Sequence, residues 1–198
     1  MTVDRTALEA TSQLERIILL ALERARARGE TGTSHLWLQK VAFLFIQRME
    51  ELAAAASPAG TGYVAYDYGP YSEELAGAVE TLCDDKLVSI EPNRTIHVTP
   101  AGRAVVEQLE LTKVRAVQAM DSILQTVEGL TENELMLYVY VTNPEWASES
   151  KLRHLLQDKR ARRALALKLY RQGRVTSAKA SQIAGIALEK FAAVAAAE

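Results

Sequence analysis

Apolar side chains recur at three- to four-residue intervals through most of this chain, and the rhythm divides it into helices. Leu8, Leu14, Ile17, Ile18, Ala21 and Leu22 predict a helix over Thr6 to Arg28, with Gly29 as a left-handed stop. A second helix is expected over Ser34 to Ala56. Its apolar residues, among them Leu36, Trp37, Leu38, Val41, Phe43 and Ile46, fall on more than one face, so it should be central and buried. The turn formers of Ser57 to Gly62 break it. Tyr63 to Tyr68 is aromatic and β-prone, and Gly69-Pro70 should end it. Ser72 is placed to cap a third helix running to about Asp85.

Two short β-prone runs, LVSI and TIHV, then flank EPNR and read as a hairpin. Thr99 caps the next helix with Pro100 at its first position, and the pattern continues to about Val127, before Gly129. Thr131 and Glu134 form a capping box for a helix that Asn143-Pro144 stops. A shorter helix is expected over Glu149 to Gln157. Three helix signals follow: Arg160 to Gln172 before Gly173, Ser177 to Ala184 capped by Thr176 and ended by Gly185, and Ala187 to Ala197. The chain should be mainly α, a winged helix-turn-helix-like domain with a short β-hairpin wing followed by a small all-α helix-turn-helix module. We place the boundary between residues 1–157 and 158–198.

Charge changes this picture more than composition does. The 198 residues carry 23 Lys plus Arg against 25 Asp plus Glu, a net of -2. Up to residue 150 there are 12 basic and 22 acidic residues; from Lys151 onward there are 11 basic and 3 acidic. Asymmetry of this kind suggests two kinds of partner. The helix after Ser72 carries Glu73, Glu74, Glu80, Asp84 and Asp85 against Lys86, and the hairpin offers only Arg94. Such a surface repels a phosphate backbone. It could steer a basic protein partner, or it could be a plain solvated face. Tyr66, Tyr68 and Tyr71, with Glu73 and Glu74, are the candidate partner-binding residues. The spacing of two puts Tyr66 and Tyr68 on one face of a strand. Their rings either serve an interface or cover the buried second helix.

Several chemistries find no support. Cys83 is the lone cysteine, so neither a disulfide within the chain nor a thiolate metal site is expected. His35, His97 and His154 are far apart, and no Gly-rich phosphate loop appears. Asp67, Glu73, Cys83 and His97 could in principle share a cleft, but nothing in their spacing predicts it. We expect no catalytic residues, no metal and no cofactor. Apolar stretches are interrupted within about a dozen residues, too short to span a bilayer. The start lacks an apolar core of the secretory type, so a cytoplasmic protein is the default expectation.

Two resemblances add to this. Leu38-Gln39-Lys40, the YDYGPYSEEL run at Tyr66 to Leu75, the IHVTPAG element and ELMLYVYVTNPEWASESKLR resemble the Panacea antitoxin domain, over about residues 10 to 156. The resemblance implies a platform that neutralises a toxin by binding it. Residues 160 to 191 resemble a small uncharacterised prokaryotic helix-turn-helix family, often encoded beside PIN-domain ribonuclease toxins. Leu169-Tyr170, Gly173, Thr176, Lys179-Ala180-Ser181, Ala184-Gly185 and Phe191 carry it. Arg160, Arg162, Arg163, Lys168, Arg171, Arg174, Lys179 and Lys190 are the candidate DNA contacts, supplying phosphate neutralisation. The last helix, ALEKFAAVAAAE, lacks Arg, Asn or Gln for bidentate base reading. The expected function is therefore an antitoxin-like regulator that is dimeric, binds a protein partner through its acidic domain and binds DNA through its basic module. The alternative is an interaction protein whose basic segment serves self-assembly.

Overall fold

The computed structural model describes residues 11–53 and 62–197. The start of the first expected helix, Ala54 to Ala56 and most of the Ser57 to Gly62 break lie outside the described residues. Helix dominates, at 69% against 9% strand, which bears out the mainly α class. In chain order the elements are α1 (Gln13–Ala27), α2 (His35–Ala53), β1 (Tyr63–Tyr66), β2 (Gly69–Ser72), α3 (Glu73–Asp84), β3 (Val88–Ile90), β4 (Ile96–Val98), α4 (Pro100–Thr112), α5 (Val114–Val127), α6 (Glu132–Thr142), α7 (Lys159–Arg171), α8 (Ser177–Ala184) and α9 (Leu188–Ala197). Two compact units result: Met1–Tyr63 with Ser72–Leu124, and Val64–Tyr71 with Gln125–Glu198. The boundary expected between residues 157 and 158 falls inside the second unit.

In the first unit, Ser12 caps α1 with a full capping box to Glu15. Helix α1 packs on α2, α3 and α4 through a face that includes Ile18, Leu19 and Ala21, all fully buried. Residues 38 to 43 of α2 are buried without interruption, the all-round burial its sequence implied. Strands β3 and β4 pair antiparallel, Val88 opposite Val98 and Ile90 opposite Ile96. A third segment joins this sheet. Thr33, in the loop between α1 and α2, exchanges both backbone hydrogen bonds with Ile96, at 3.1 and 2.9 Å. Thr99 then accepts from the Gly102 N–H and donates to the Lys86 carbonyl, tying the start of α4 to the loop that leads into β3.

Two polar residues sit inside α2. The Gln39 amide donates to the Ser72 carbonyl at 2.9 Å and accepts the Ser72 N–H at 3.0 Å. The Ser72 hydroxyl accepts from the Leu75 N–H and so caps α3. One buried amide thus fixes the end of β2 and the start of α3 together. Lys40, 2% exposed, lies beside it, and burial lowers its pKa from 10.5 to about 7.

Three expectations are corrected. Gly69-Pro70 does not end the aromatic strand; it opens β2 after the two-residue turn Asp67-Tyr68. Gly69 has φ +76°, open to glycine at little cost, and a proline in a two-stranded ribbon forfeits no bond to an outer strand. The helix over 99–127 is two helices, broken at Lys113 (φ -132°, ψ 49°). Neither Gly nor Pro marks the break, because few bonds are lost. The Lys113 N–H still reaches Leu109, and its carbonyl accepts from Ala116 and Val117. The helix over 149–157 is replaced by 3-10 turns at Pro144–Ala147 and Arg153–Gln157. The Lys151 N–H bonds to the Asp67 carbonyl at 2.9 Å, outside any helical pattern.

Substituting Gln39→Leu leaves the Ser72 N–H and carbonyl buried without their partner. We expect a loss of about 2–4 kcal/mol, at roughly 1–2 per orphaned group, read as a lower urea midpoint with unchanged slope. Lys40 gives a pH signature. Between about pH 7 and 10.5 the unfolded chain holds a proton that the folded lysine has shed, so stability rises with pH through that window. Lys40→Met should remove this contribution. The variant should gain most over wild type at pH 6, and the gap should narrow towards pH 10 by at most about 1.4 kcal/mol per unit. Urea midpoints at pH 6, 8 and 10 check this.

Candidate functional site

The basic C-terminal segment forms three helices on a common core. Leu165, Ala166 and Leu169 of α7, Ala180, Ile183 and Ala184 of α8 and Phe191 of α9 pack with Leu137 and Val141 of α6. The Tyr170 ring meets Phe191 edge-on, with centroids 5.4 Å apart. Thr176 caps α8 through the Lys179 N–H, and Gly185 ends it in a left-handed conformation, φ +68°. The axes of α8 and α9 meet at 97° across a three-residue turn. Ser181 is 9% exposed and donates to the Ala178 carbonyl.

The expected DNA contacts divide into two groups. Three cations point into the fold of the second unit. The Arg162 guanidinium donates to Ile183 (2.8 Å), Gln182 (3.1 Å) and Leu156 (3.4 Å) carbonyls, closing the C-terminal end of α8. Lys168 bonds both oxygens of Glu134, at 3.0 and 2.9 Å, and the Gly129 carbonyl. Arg174 donates to the Glu128 carbonyl. Desolvation raises the Glu134 carboxyl, but the bonds from Lys168 and the Thr131 backbone outweigh it, so its pKa lies below the ordinary value. Arg160, Arg163, Arg171 and Lys190 are exposed, and Lys179 is half-buried. Arg171 and Lys179 also have partners within the fold.

The candidate partner-binding residues lie in different units. Tyr66 and Tyr68 are 55% and 49% exposed in the β1–β2 hairpin of the second unit, and the Tyr66 ring rests on Tyr71 at 5.5 Å. Tyr68 falls in the turn rather than on a strand face with Tyr66. The hairpin tip is held by the Ser150 hydroxyl, which donates to the Asp67 carbonyl at 3.1 Å, and by the Lys151–Asp67 ion pair. Tyr63, in the first unit, takes the covering role instead. It stacks edge-on against Phe43 and donates to the Gln39 carbonyl at 2.9 Å. Glu73 and Glu74 are exposed in the first turn of α3, where negative charge favours the helix dipole, and Glu74 also accepts from the Ser72 hydroxyl at 3.1 Å.

Of the four residues considered for a catalytic cleft, Asp67 belongs to the second unit and Glu73, Cys83 and His97 to the first. Among the described residues no group of three or more His, Cys, Asp or Glu could hold a metal ion. No single helix among them is long and apolar enough to cross a membrane. The sequence missed the inward role of Arg162. Its one signal was Gly185, on which a Cβ would stand 2.8 Å from the Arg162 guanidinium.

Residues 136–196 match the model of an uncharacterised protein family, UPF0175. The match begins inside α6, and the core explains why, since Leu137 and Val141 complete the packing of the three later helices. No curated protein matches the chain.

Gly185→Ala should cost at least about 1–2 kcal/mol, from the left-handed backbone alone, and more because the new Cβ displaces the Arg162 fork. Arg162→Lys, which keeps the charge but loses the fork, should destabilise in the same direction. Chemical denaturation followed by circular dichroism measures both.

Proposed function

We propose that this chain is an antitoxin-like regulator that works by binding alone. Its second unit carries a helix-turn-helix that docks on DNA, and its first unit is a winged helix that engages a protein partner, a toxin. The observation that carries the reading is the α8–α9 pair in a segment matching UPF0175. Two helices cross at 97° about Gly185, inside the range of DNA-binding helix pairs. The toxin assignment rests on the resemblance of residues 160–191 to proteins encoded beside PIN-domain toxins, and on the Panacea-like elements upstream.

The winged-helix reading of the first unit has its own support. The order is α1, the Thr33 bridge, α2, α3, then the β3–β4 hairpin. Thr33 supplies the short first strand that pairs with the strand after the wing. The acidic α3 argues that this copy of the fold meets protein rather than phosphate. Among the Panacea-like motifs, Gln39 and Ser72 bond to each other, which supports reading them as one structural element. Paired subunits would double the basic surface, so a dimer is the expected DNA-bound state.

Anisotropy of a labelled random-sequence duplex across a salt series tests the DNA half. Affinity should be present at low salt and fall log-linearly as salt rises. Absence of binding at the lowest salt would sink it. The partner half is tested by affinity purification from the source cell, where a small basic protein should be retained by wild type and lost with Glu73→Gln/Glu74→Gln, whose carboxylates are exposed on α3 of the first unit.

A further inference from the structure

We propose that the phosphate-contacting surface is the outer face at the start of α7, formed by Lys159, Arg160 and Arg163 with Arg153 just upstream, and that α9 does not lie on the backbone. The inference rests on the reading of the second unit as a DNA-docking module and assigns its contact face. It starts from sorting the cations. Arg162, Lys168 and Arg174 are committed to carbonyls of the fold, and Lys151 to Asp67. What remains near the start of α7 is Arg153, Lys159, Arg160 and Arg163, all exposed. No ion pair joins these four to an acid among the described residues.

That arrangement is unfavourable for the isolated helix. Lys159 and Arg163 are four residues apart, and Arg160 and Arg163 three apart, so like charges share one face. They also stand at the positive end of the helix dipole, and the first turn contains no acid. Asp158 offsets this only in part, with one negative charge against three cations. Its carboxylate accepts the Arg160 and Ala161 N–H groups, both at 2.9 Å, so the helix end is already capped. Among the described residues no ion pair to an acid offsets the repulsion between these side chains. A row of phosphates would, and guanidinium groups suit it because each can give two parallel hydrogen bonds.

Helix α9 presents the opposite chemistry. Leu188 is 44% exposed, Ala192, Ala193 and Ala196 face solvent, and Lys190 follows Glu189. Phe191 is turned into the core. The helix that should read bases in a helix-turn-helix therefore carries neither the charge to sit on the backbone nor the amides to read an edge. Docking through α7 predicts duplex binding with little sequence preference.

The test compares wild type, Lys159→Gln/Arg160→Gln/Arg163→Gln and Lys190→Gln, with a labelled duplex of random sequence and a salt series. Three lost contacts should flatten the slope of log affinity against log salt by about 2.7, at roughly 0.9 per phosphate. Lys190→Gln should leave the slope unchanged. Melting of the triple variant should equal or exceed wild type, because repulsion is removed. Wild-type binding with an unchanged slope in the triple variant overturns the assignment of this face. So does a slope that falls in Lys190→Gln instead. Failure of wild type to bind at any salt overturns the functional reading itself. If wild type then self-associates in a salt-sensitive way lost in the triple variant, the face meets the acidic surface of a second copy instead of DNA.

Discussion

The Arg162 guanidinium fixes the geometry of the C-terminal helices. A helix ends with carbonyls that have no partner in its own spiral. In α8 the last of these, from Gln182 and Ile183, are taken by one planar fork that reaches across from α7 and also touches Leu156. A fork can do this only if the chain turns away tightly after α8, and a glycine at φ +68° provides both the turn and the room. Helix α9 then leaves at 97° to α8, with Phe191 turned back into the shared core. The helix pair is thus held by a charged side chain acting as a cap together with the apolar core beneath it.

The same device recurs within the second unit. Lys168 and Arg174 go to carbonyls of Gly129 and Glu128, just past the end of α5. Cations are favoured at helix C-termini by the dipole as well as by the hydrogen bond. Three of the eleven basic residues from Lys151 onward, Arg162, Lys168 and Arg174, therefore close helix ends. Glu134 links two of these devices. Its carboxylate completes the capping box of α6 through Thr131 and also receives Lys168. Being part-buried, such a pair gains more from its hydrogen bonds than from surface Coulomb attraction alone.

How much of this was legible depended on whether a signal was local. The caps at Ser72, Thr99, Thr131 and Thr176 and the stop at Gly185 stand as the sequence placed them, because a hydroxyl three residues from an N–H is a local matter. The errors share a cause. Pro70 looked like a terminator because a strand's position at the edge of a two-stranded ribbon is not encoded nearby. Residues 149–157 looked helical because the competing acceptor, the Asp67 carbonyl, is over eighty positions away. Arg162 looked like a DNA contact for the same reason, its acceptors lying some twenty residues on. The split between Tyr63, which covers α2, and Tyr66 and Tyr68, which face solvent, required knowing where the turn fell.

Charge segregation along the chain consequently means different things at its two ends. In the first unit the acids of α3 include two at the helix start, where they stabilise the helix that bears them. Helix α2 meanwhile holds Gln39 and Lys40 inside the core. The amide repays its burial by fixing Ser72, whereas the lysine's burial is costly enough to move its titration to about pH 7. In the second unit the inward cations have structural work and the outward ones at Lys159, Arg160 and Arg163 have none. A structural role for the inward group makes the outward group more telling, since helix capping cannot account for it. The net of -2 thus conceals charges with different work, among them acids that suit their helix, cations that close helix ends, and exposed cations crowded at the start of α7.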